Sequence, residues 1–397
     1  MYTALSEDGS MLNLFTIKDK QYLQSIRQSL FFCPECKGRL ILKMGDKKIT
    51  HFAHENREYC SGSGEAESFY HLKGKLDLYT KLNQLGLKPV LEPYYPEIRQ
   101  RADIGFYYNN AHYVIEFQCA VISSTLLKKR TEGYKRANIV PIWILGFSNF
   151  KKWSPLKIRF SAFQFLFLAE YKEQYVLPAY CPYKQVFYFH LNPVPISVSQ
   201  TFIASFSFPL GQIEEINSSP LALEKWTLSY WKDVIHQQKT HHLHYPTKHN
   251  DIFLKELYMK ELHPHFLPPY IGVPARNGFI FETPPLFWQC YLFMDSFYSD
   301  TKNRIFPLQK IYEVFHRRIM RGDIRLRILP LLSTFDWKGI IHDYLQVLVK
   351  LNVLEEVKPS FFRLTVPHRK VYSYETQEQI EKEFYDHLKK YMIEESK

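Results

Sequence analysis

No long hydrophobic run occurs anywhere in this sequence. Its most apolar windows, 140–147 and 163–168, are short and interrupted, well below the roughly 20 residues a membrane-spanning helix needs. The opening residues, Met1-Tyr2-Thr3-Ala4-Leu5-Ser6-Glu7-Asp8-Gly9, carry no basic region followed by an apolar stretch, so no signal peptide is expected. Six cysteines in 397 residues are too few and too unevenly spaced for a disulfide framework. Internal repeats and extended low-complexity segments are missing as well. These absences argue against a membrane-inserted protein, a disulfide scaffold and a solenoid, and they lead us to expect a soluble, cytoplasmic chain.

Positive charge and aromatic rings are abundant. A formal net charge of +11 and a pI near 9.1 suit a partner that carries phosphates. Aromatic residues make up 16% of the chain, with 28 Tyr and 31 Phe. Most recur inside apolar runs and belong to cores, but rings beside basic residues also suit stacking on unpaired bases.

The chain divides into four parts by pattern: a small β unit over 1–62, an α/β core over 63–150, an extension with a helical linker over 151–275, and a mostly helical region over 276–397. Ser61-Gly62-Ser63-Gly64 marks the first break. Apolar positions Phe69, Leu72, Leu76, Tyr79 and Leu82 predict a helix over 65–85, stopped at Gly86. Strands follow over 90–95, 101–108 and 112–119, the last two joined by an Asn109-Asn110 hairpin turn. A Ser-capped helix over 123–138 and a buried strand over 140–146 complete a mixed α/β core. Later, 337–357 reads as one long amphipathic helix, followed by a strand at 361–366. With the basic helix 312–321, this suggests either a winged-helix module or a helical protein-interaction domain.

Two constellations carry chemistry. Cys33-Pro34-Glu35-Cys36 has the spacing of a zinc knuckle, and His51-Phe52-Ala53-His54 would close a Cys2His2 site, with Cys60 as a substitute for one histidine. The plain alternative is a pair of reduced cysteines near surface histidines. The second constellation is acidic. Asp103 lies in one strand and Glu116 in the next, and Gln118 shares a strand face with Glu116. Phosphodiester hydrolysis needs a divalent metal held by hard oxygens and a positioned water. Asp103, Glu116, the Phe117 carbonyl and Glu67 at the start of the preceding helix would supply those oxygens. Gln118 stands where a lysine usually orients the water. Each residue also has an ordinary use: Asp103 pairing with Arg99 or Arg101, Glu116 with a lysine, Gln118 as an edge amide, and Glu67 at a helix N-terminus. The tract His241, His242, His244 and His249 reads as a surface loop or a metal site.

In order, the motifs Cys33-x2-Cys36, His51-x2-His54, Glu67-x3-His71-x3-Lys75, Arg101-Ala102-Asp103-Ile104, Ile115-Glu116-Phe117-Gln118, Arg130-x3-Tyr134 and Trp143-Ile144-Leu145 cover about the first 145 positions. On these motifs the chain resembles the competence protein CoiA family, within the PD-(D/E)xK nuclease-like superfamily. The resemblance implies a restriction-endonuclease-like core between a zinc-ribbon-like unit and a helical C-terminal region. It also implies action on internalised single-stranded DNA during natural transformation, promoting its recombination into the chromosome. By that resemblance Asp103, Glu116, Gln118 and Glu67 take the catalytic positions, with Asp103 and Glu116 holding Mg²⁺ or Mn²⁺. Arg101, Arg130, Tyr134 and Lys75 are the expected DNA contacts, Arg130 and Tyr134 either meeting the scissile strand or bracing the site. The partners implied are DNA and a recombinase or strand-loading protein. The alternative is a mediator that binds DNA without cutting it.

Overall fold

Short alternating segments bounded by turn residues build most of the first half of the chain. The computed structural model describes residues 1–45, 48–56, 68–150, 157–172, 174–212, 228–244, 251–298, 305–332, 336–365 and 373–394. The N-terminal unit is a five-stranded sheet of β1 (Thr3–Ser6), β2 (Met11–Asn13), β3 (Phe31–Phe32), β4 (Arg39–Gly45) and β5 (Lys48–His54), with a short helix α1 (Lys20–Ser25). Alternation along β4 buries Leu40 and Leu42 against Phe31 and Phe52 and leaves Arg39 and Ile41 outside.

Helix α2 (Phe69–Gln84) starts at Ser68, whose hydroxyl accepts the His71 N–H, and ends before Gly86 in the left-handed region. The short strands β6 (Val90–Leu91), β7 (Tyr94–Tyr95) and β8 (Gln100–Arg101) lead into the hairpin of β9 (Ile104–Tyr108) and β10 (Ala111–Gln118). Asn109 and Asn110 both take positive φ, the turn that matches the strand twist. Helix α3 (Ser124–Arg136) then returns the chain to β11 (Ile139–Gly146), which pairs with β10 in parallel.

The sheet does not stop at residue 150. β12 (Lys157–Arg159), α4 (Ala162–Phe165), β13 (Ala169–Tyr171), β14 (Gln174–Cys181), β15 (Val186–Pro195) and β16 (Gln200–Pro209) follow, and the strands add to the same sheet. Its order is β12-β16-β15-β14-β11-β10-β9-β6, with β13 paired to β14. Parallel and antiparallel pairs mix, as expected from an α/β core widened by a meander.

The helical region begins earlier than residue 276. Helices α5 (Leu228–His244) and α6 (Ile252–Met259) share one apolar core with α7 (Pro285–Leu292), α8 (Leu308–Arg321), α9 (Trp337–Lys350) and α10 (Tyr374–Glu394). The helix read over 337–357 ends at Lys350, because Asn352 turns left-handed and the chain enters β18 (Leu354–Lys358). β18 pairs with β19 (Phe361–Leu364), which pairs with β17 (Ile305–Pro307), giving a three-stranded antiparallel sheet. Among the described residues no helix is long and apolar enough to cross a membrane, and no cysteines are joined in a disulfide. His249 lies outside the described residues.

Candidate active site

Helix α2 presents a lysine to the sheet because of its spacing. Leu72, Lys75 and Leu78 recur every three residues and are all buried. Gly74 permits the close approach to β10, since a methyl group there would run into the Phe117 ring. Lys75 Nζ ends 2.6 Å from Glu92 Oε1 and 3.2 Å from Asp103 Oδ1. The other oxygen of Glu92 accepts the backbone N–H groups of Tyr2 at 2.9 Å and Thr3 at 3.0 Å, and the Thr3 hydroxyl at 2.9 Å. The N-terminal unit and the core are therefore joined through one buried carboxylate.

Asp103 lies just before β9. Its Oδ2 accepts the Phe117 N–H at 2.9 Å and sits 3.2 Å from His71 Nε2. The Asp103 carboxylate is thereby held against the backbone next to Glu116. Glu116 points to the opposite face of the sheet, toward α3, together with Val114 and His112. Its Oε1 accepts from Arg130 Nη2 and from the Tyr134 hydroxyl. Arg130 also donates to the Arg101 carbonyl at 3.0 Å. Burial pushes the Glu116 carboxyl above the usual carboxylate range. The Arg130 guanidinium opposes that rise, and the neighbouring Asp103 carboxylate adds to it. Burial disfavours the Arg130 charge, but Glu116 more than offsets it and Arg130 stays ionised. The Tyr134 hydroxyl is held well above its ordinary value by burial and by Glu116, so it remains a donor. Gln118 donates its amide to the Ala120 carbonyl at 2.8 Å, which leaves its Oε1 as a neutral acceptor on the Glu116 face.

The four expected DNA contacts all turn inward. Lys75 is fully buried between two carboxylates, Arg101 is buried with its guanidinium on Met1 Sδ, Arg130 grips Glu116, and Tyr134 is fully buried. Each lies on the inner face of its helix or strand, where a counter-charge or hydrogen bond compensates for lost water. Asp103 pairs with Lys75 and His71. Glu67 lies outside the described residues. Two residues given no role from the sequence, His71 and Glu92, stand in the site. The signal for Glu92 was indirect: a lysine on the apolar face of α2 requires a buried anion.

The site gathers three carboxylates (Asp103, Glu116 and Glu92) and two cations paired with them (Lys75 and Arg130), with His71 on Asp103. Glu116 Oε2 accepts no hydrogen bond from the described residues, because Oε1 holds both donors. An open carboxylate oxygen within electrostatic reach of a second carboxylate fits a hard divalent cation.

A second metal-ligating group lies in the N-terminal unit. A turn with Lys37 at positive φ folds Cys36 back toward Cys33, and Cys33 N–H reaches the Gly38 carbonyl at 2.8 Å. Cys33, Cys36 and His54 bring their ligand atoms within 4.8 Å of one another, and Cys36 Sγ is 3.3 Å from His54 Nε2. His51 is not part of this cluster, which corrects the four-ligand set read from the sequence. Three residues apart on a strand, His51 and His54 face opposite sides, and His51 Nδ1 lies 2.8 Å from the Ile49 carbonyl. Cys60 lies outside the described residues.

Two acidic side chains, one just before β9 and one on β10, each braced by a flanking helix, suit a nuclease-like domain behind a small Cys/His unit. Comparison with known proteins agrees. Residues 67–218 match the competence protein CoiA nuclease-like domain, 227–380 its C-terminal domain and 15–63 its N-terminal domain. The competence protein CoiA of Bacillus subtilis (strain 168) is 29% identical over 370 residues, covering 91% of this chain and 96% of that protein. No solved structure matches. The chain belongs to the competence protein CoiA family.

Proposed function

We propose that this protein cuts phosphodiester bonds of internalised single-stranded DNA during natural transformation and so prepares the strand for recombination into the chromosome. The observation that carries the proposal is the paired geometry of Asp103 and Glu116. Both are fixed at one end of adjacent strands, with Glu116 Oε2 open. A divalent cation, Mg²⁺ or Mn²⁺, held by these two carboxylates would polarise a phosphoryl oxygen and acidify a bound water. Arg130 and Tyr134 hold Glu116 in one rotamer. Lys75 gives Asp103 a counter-charge, and Gln118 Oε1 can accept a hydrogen bond from the attacking water but brings no charge. Cleavage of a labelled single strand in Mg²⁺, abolished by EDTA, is the first test.

The neutral Gln118 and the cations already seated on both carboxylates favour one other reading, a mediator that holds single-stranded DNA for a recombinase or strand-loading protein. Binding with no cleavage in any divalent metal would select it.

The raised Glu116 pKa gives the proposal a pH signature. Metal ligation needs ionised Glu116, so at metal concentrations well below saturation the acid limb of the cleavage profile should lie above the ordinary carboxylate range. Arg130→Gln removes the charge that opposes burial and should move that limb to still higher pH. A limb that stays in place would show that Glu116 is not the titrating group.

We further infer that Cys33, Cys36 and His54 bind zinc. Purified protein is expected to carry about one zinc per chain, and Cys36→Ser most of that lost by elemental analysis. Unchanged zinc content in the variant would remove the site.

A further inference from the structure

With Lys75, Arg101, Arg130 and Tyr134 turned inward, a DNA strand must be met by other groups, and one surface near the site is built for it. Tyr107, the cross-strand partner of His112, is 66% exposed. The two rings stack, 4.4 Å between centroids and 18° between planes. His112 is itself fixed: the Tyr95 hydroxyl lies 2.9 Å from its Nε2. Burial lowers the His112 pKa and so favours the neutral ring. Tyr95 packs edge-on against Tyr134, whose hydroxyl reaches Glu116. One face of Tyr107 therefore rests on a chain of rings that ends at Glu116, and the other face is open to solvent.

A single exposed tyrosine is ordinary. The second observation is the charge beside it. Helix α3 bears Lys128, Lys129, Lys135 and Arg136 on its exposed side, against one exposed carboxylate, Glu132, which pairs with Lys128 at 3.8 Å. The helix runs back along the face of the sheet that holds Glu116, Val114 and His112, and β11 begins opposite His112. Lys128 and Lys129 thus sit at the Glu116 end, and Lys135 and Arg136 at the Tyr107 end. From Glu116 to His112 the strand rises about 13 Å, or about four stacked nucleotides at about 3.4 Å per step. The acidic neighbour at this end is exposed Glu97, which faces Tyr95 and His112.

We propose that Tyr107, backed by His112, is a stacking station for an unpaired base, and that the outer face of α3 is the cationic track joining it to the two carboxylates. The ligand class is single-stranded nucleic acid. In a duplex each base face is already covered by its neighbours, whereas an unpaired base can add its face to a ring. The direction of the track rests on Asp103 and Glu116 being the reacting site; the station itself does not.

Binding of a fluorescein-labelled oligothymidine to the full chain, measured by anisotropy in EDTA so that cutting plays no part, tests it. Tyr107→Ala should weaken binding about five- to a hundredfold, and Tyr107→Phe and Tyr107→Trp should keep it. Duplex binding should change little. Replacing the oligonucleotide by an abasic strand should weaken the parent and leave Tyr107→Ala no worse than before. Lys135→Ala together with Arg136→Ala should flatten the salt dependence on every strand. The station is overturned if Tyr107→Ala binds oligothymidine like the parent, or loses single strand and duplex alike. The former outcome would point to β9, whose edge beyond Gly105 is not covered by β6, as a place where a protein strand adds. Cleavage that survives in Asp103→Asn would refute Asp103 and Glu116 as the reacting site and leave these binding results standing.

Discussion

Asp103→Asn and Glu116→Gln are each expected to lower metal-dependent cleavage of single-stranded DNA by about a hundredfold or more, with oligonucleotide binding retained. Both substitutions keep shape. The amide oxygen introduced at position 103 can still accept the Phe117 N–H, and the one introduced at position 116 can still accept from Arg130 and Tyr134. The hairpin and α3 therefore stay where they are. Each variant loses one negative charge and one hard metal ligand. Either change therefore weakens cation binding. Raising the metal concentration should therefore recover part of the activity of each variant, which a merely misfolded protein would not show. Cleavage at the parental rate in both variants would place the chemistry elsewhere. If parent and variants bind strand equally well and none cuts it in any divalent metal, the mediator reading holds.

The elements around the site were legible because local signals agreed with one another. The Ser cap before the 123–138 helix, the Gly86 stop and the Asn109-Asn110 turn all predicted what the structure holds. The pairing of Asp103 with Glu116 followed from the hairpin register. What the sequence concealed were the partners across elements. Lys75 is 28 residues from Asp103 and reads as a helix-surface cation, yet the Leu72–Lys75–Leu78 spacing puts it on the buried face. Glu92 lies between two very short strands at positive φ, where no periodicity marks it. His51 was misplaced because two histidines three apart were counted as ligands before strand alternation was applied to them. That 151–275 extends the core was read from the sequence; which strand it joins was not, since β14 pairs with β11 across a long intervening segment and no local pattern reports that pairing.

Lys75→Met should be the most destabilising single change near the site, costing about 3–5 kcal/mol. The methionine fills similar volume, so packing against Leu72 and Leu78 survives and the loss is electrostatic. Glu92 is 1% exposed on its side chain and would keep its hydrogen bonds from Tyr2 and Thr3 but lose its counter-charge. Asp103, 14% exposed, would keep His71 and the Phe117 N–H. Most of the penalty should therefore reside at Glu92, and it should act on two parts of the chain, because Glu92 joins β1 to α2. Glu92→Gln in the Lys75→Met background removes the stranded charge, and its amide oxygen can still accept the Tyr2 and Thr3 N–H groups. That double variant should recover a large part of the lost stability in denaturant unfolding, while Glu92→Gln alone, which leaves Lys75 with Asp103 as its one carboxylate partner of the two, should be destabilised. Such a pattern identifies a charge pair, since two changes that each weaken the fold are less harmful together. A double variant no more stable than Lys75→Met would mean that Lys75 matters for how its stem packs, and that His71 and the backbone suffice to hold the Asp103 carboxylate.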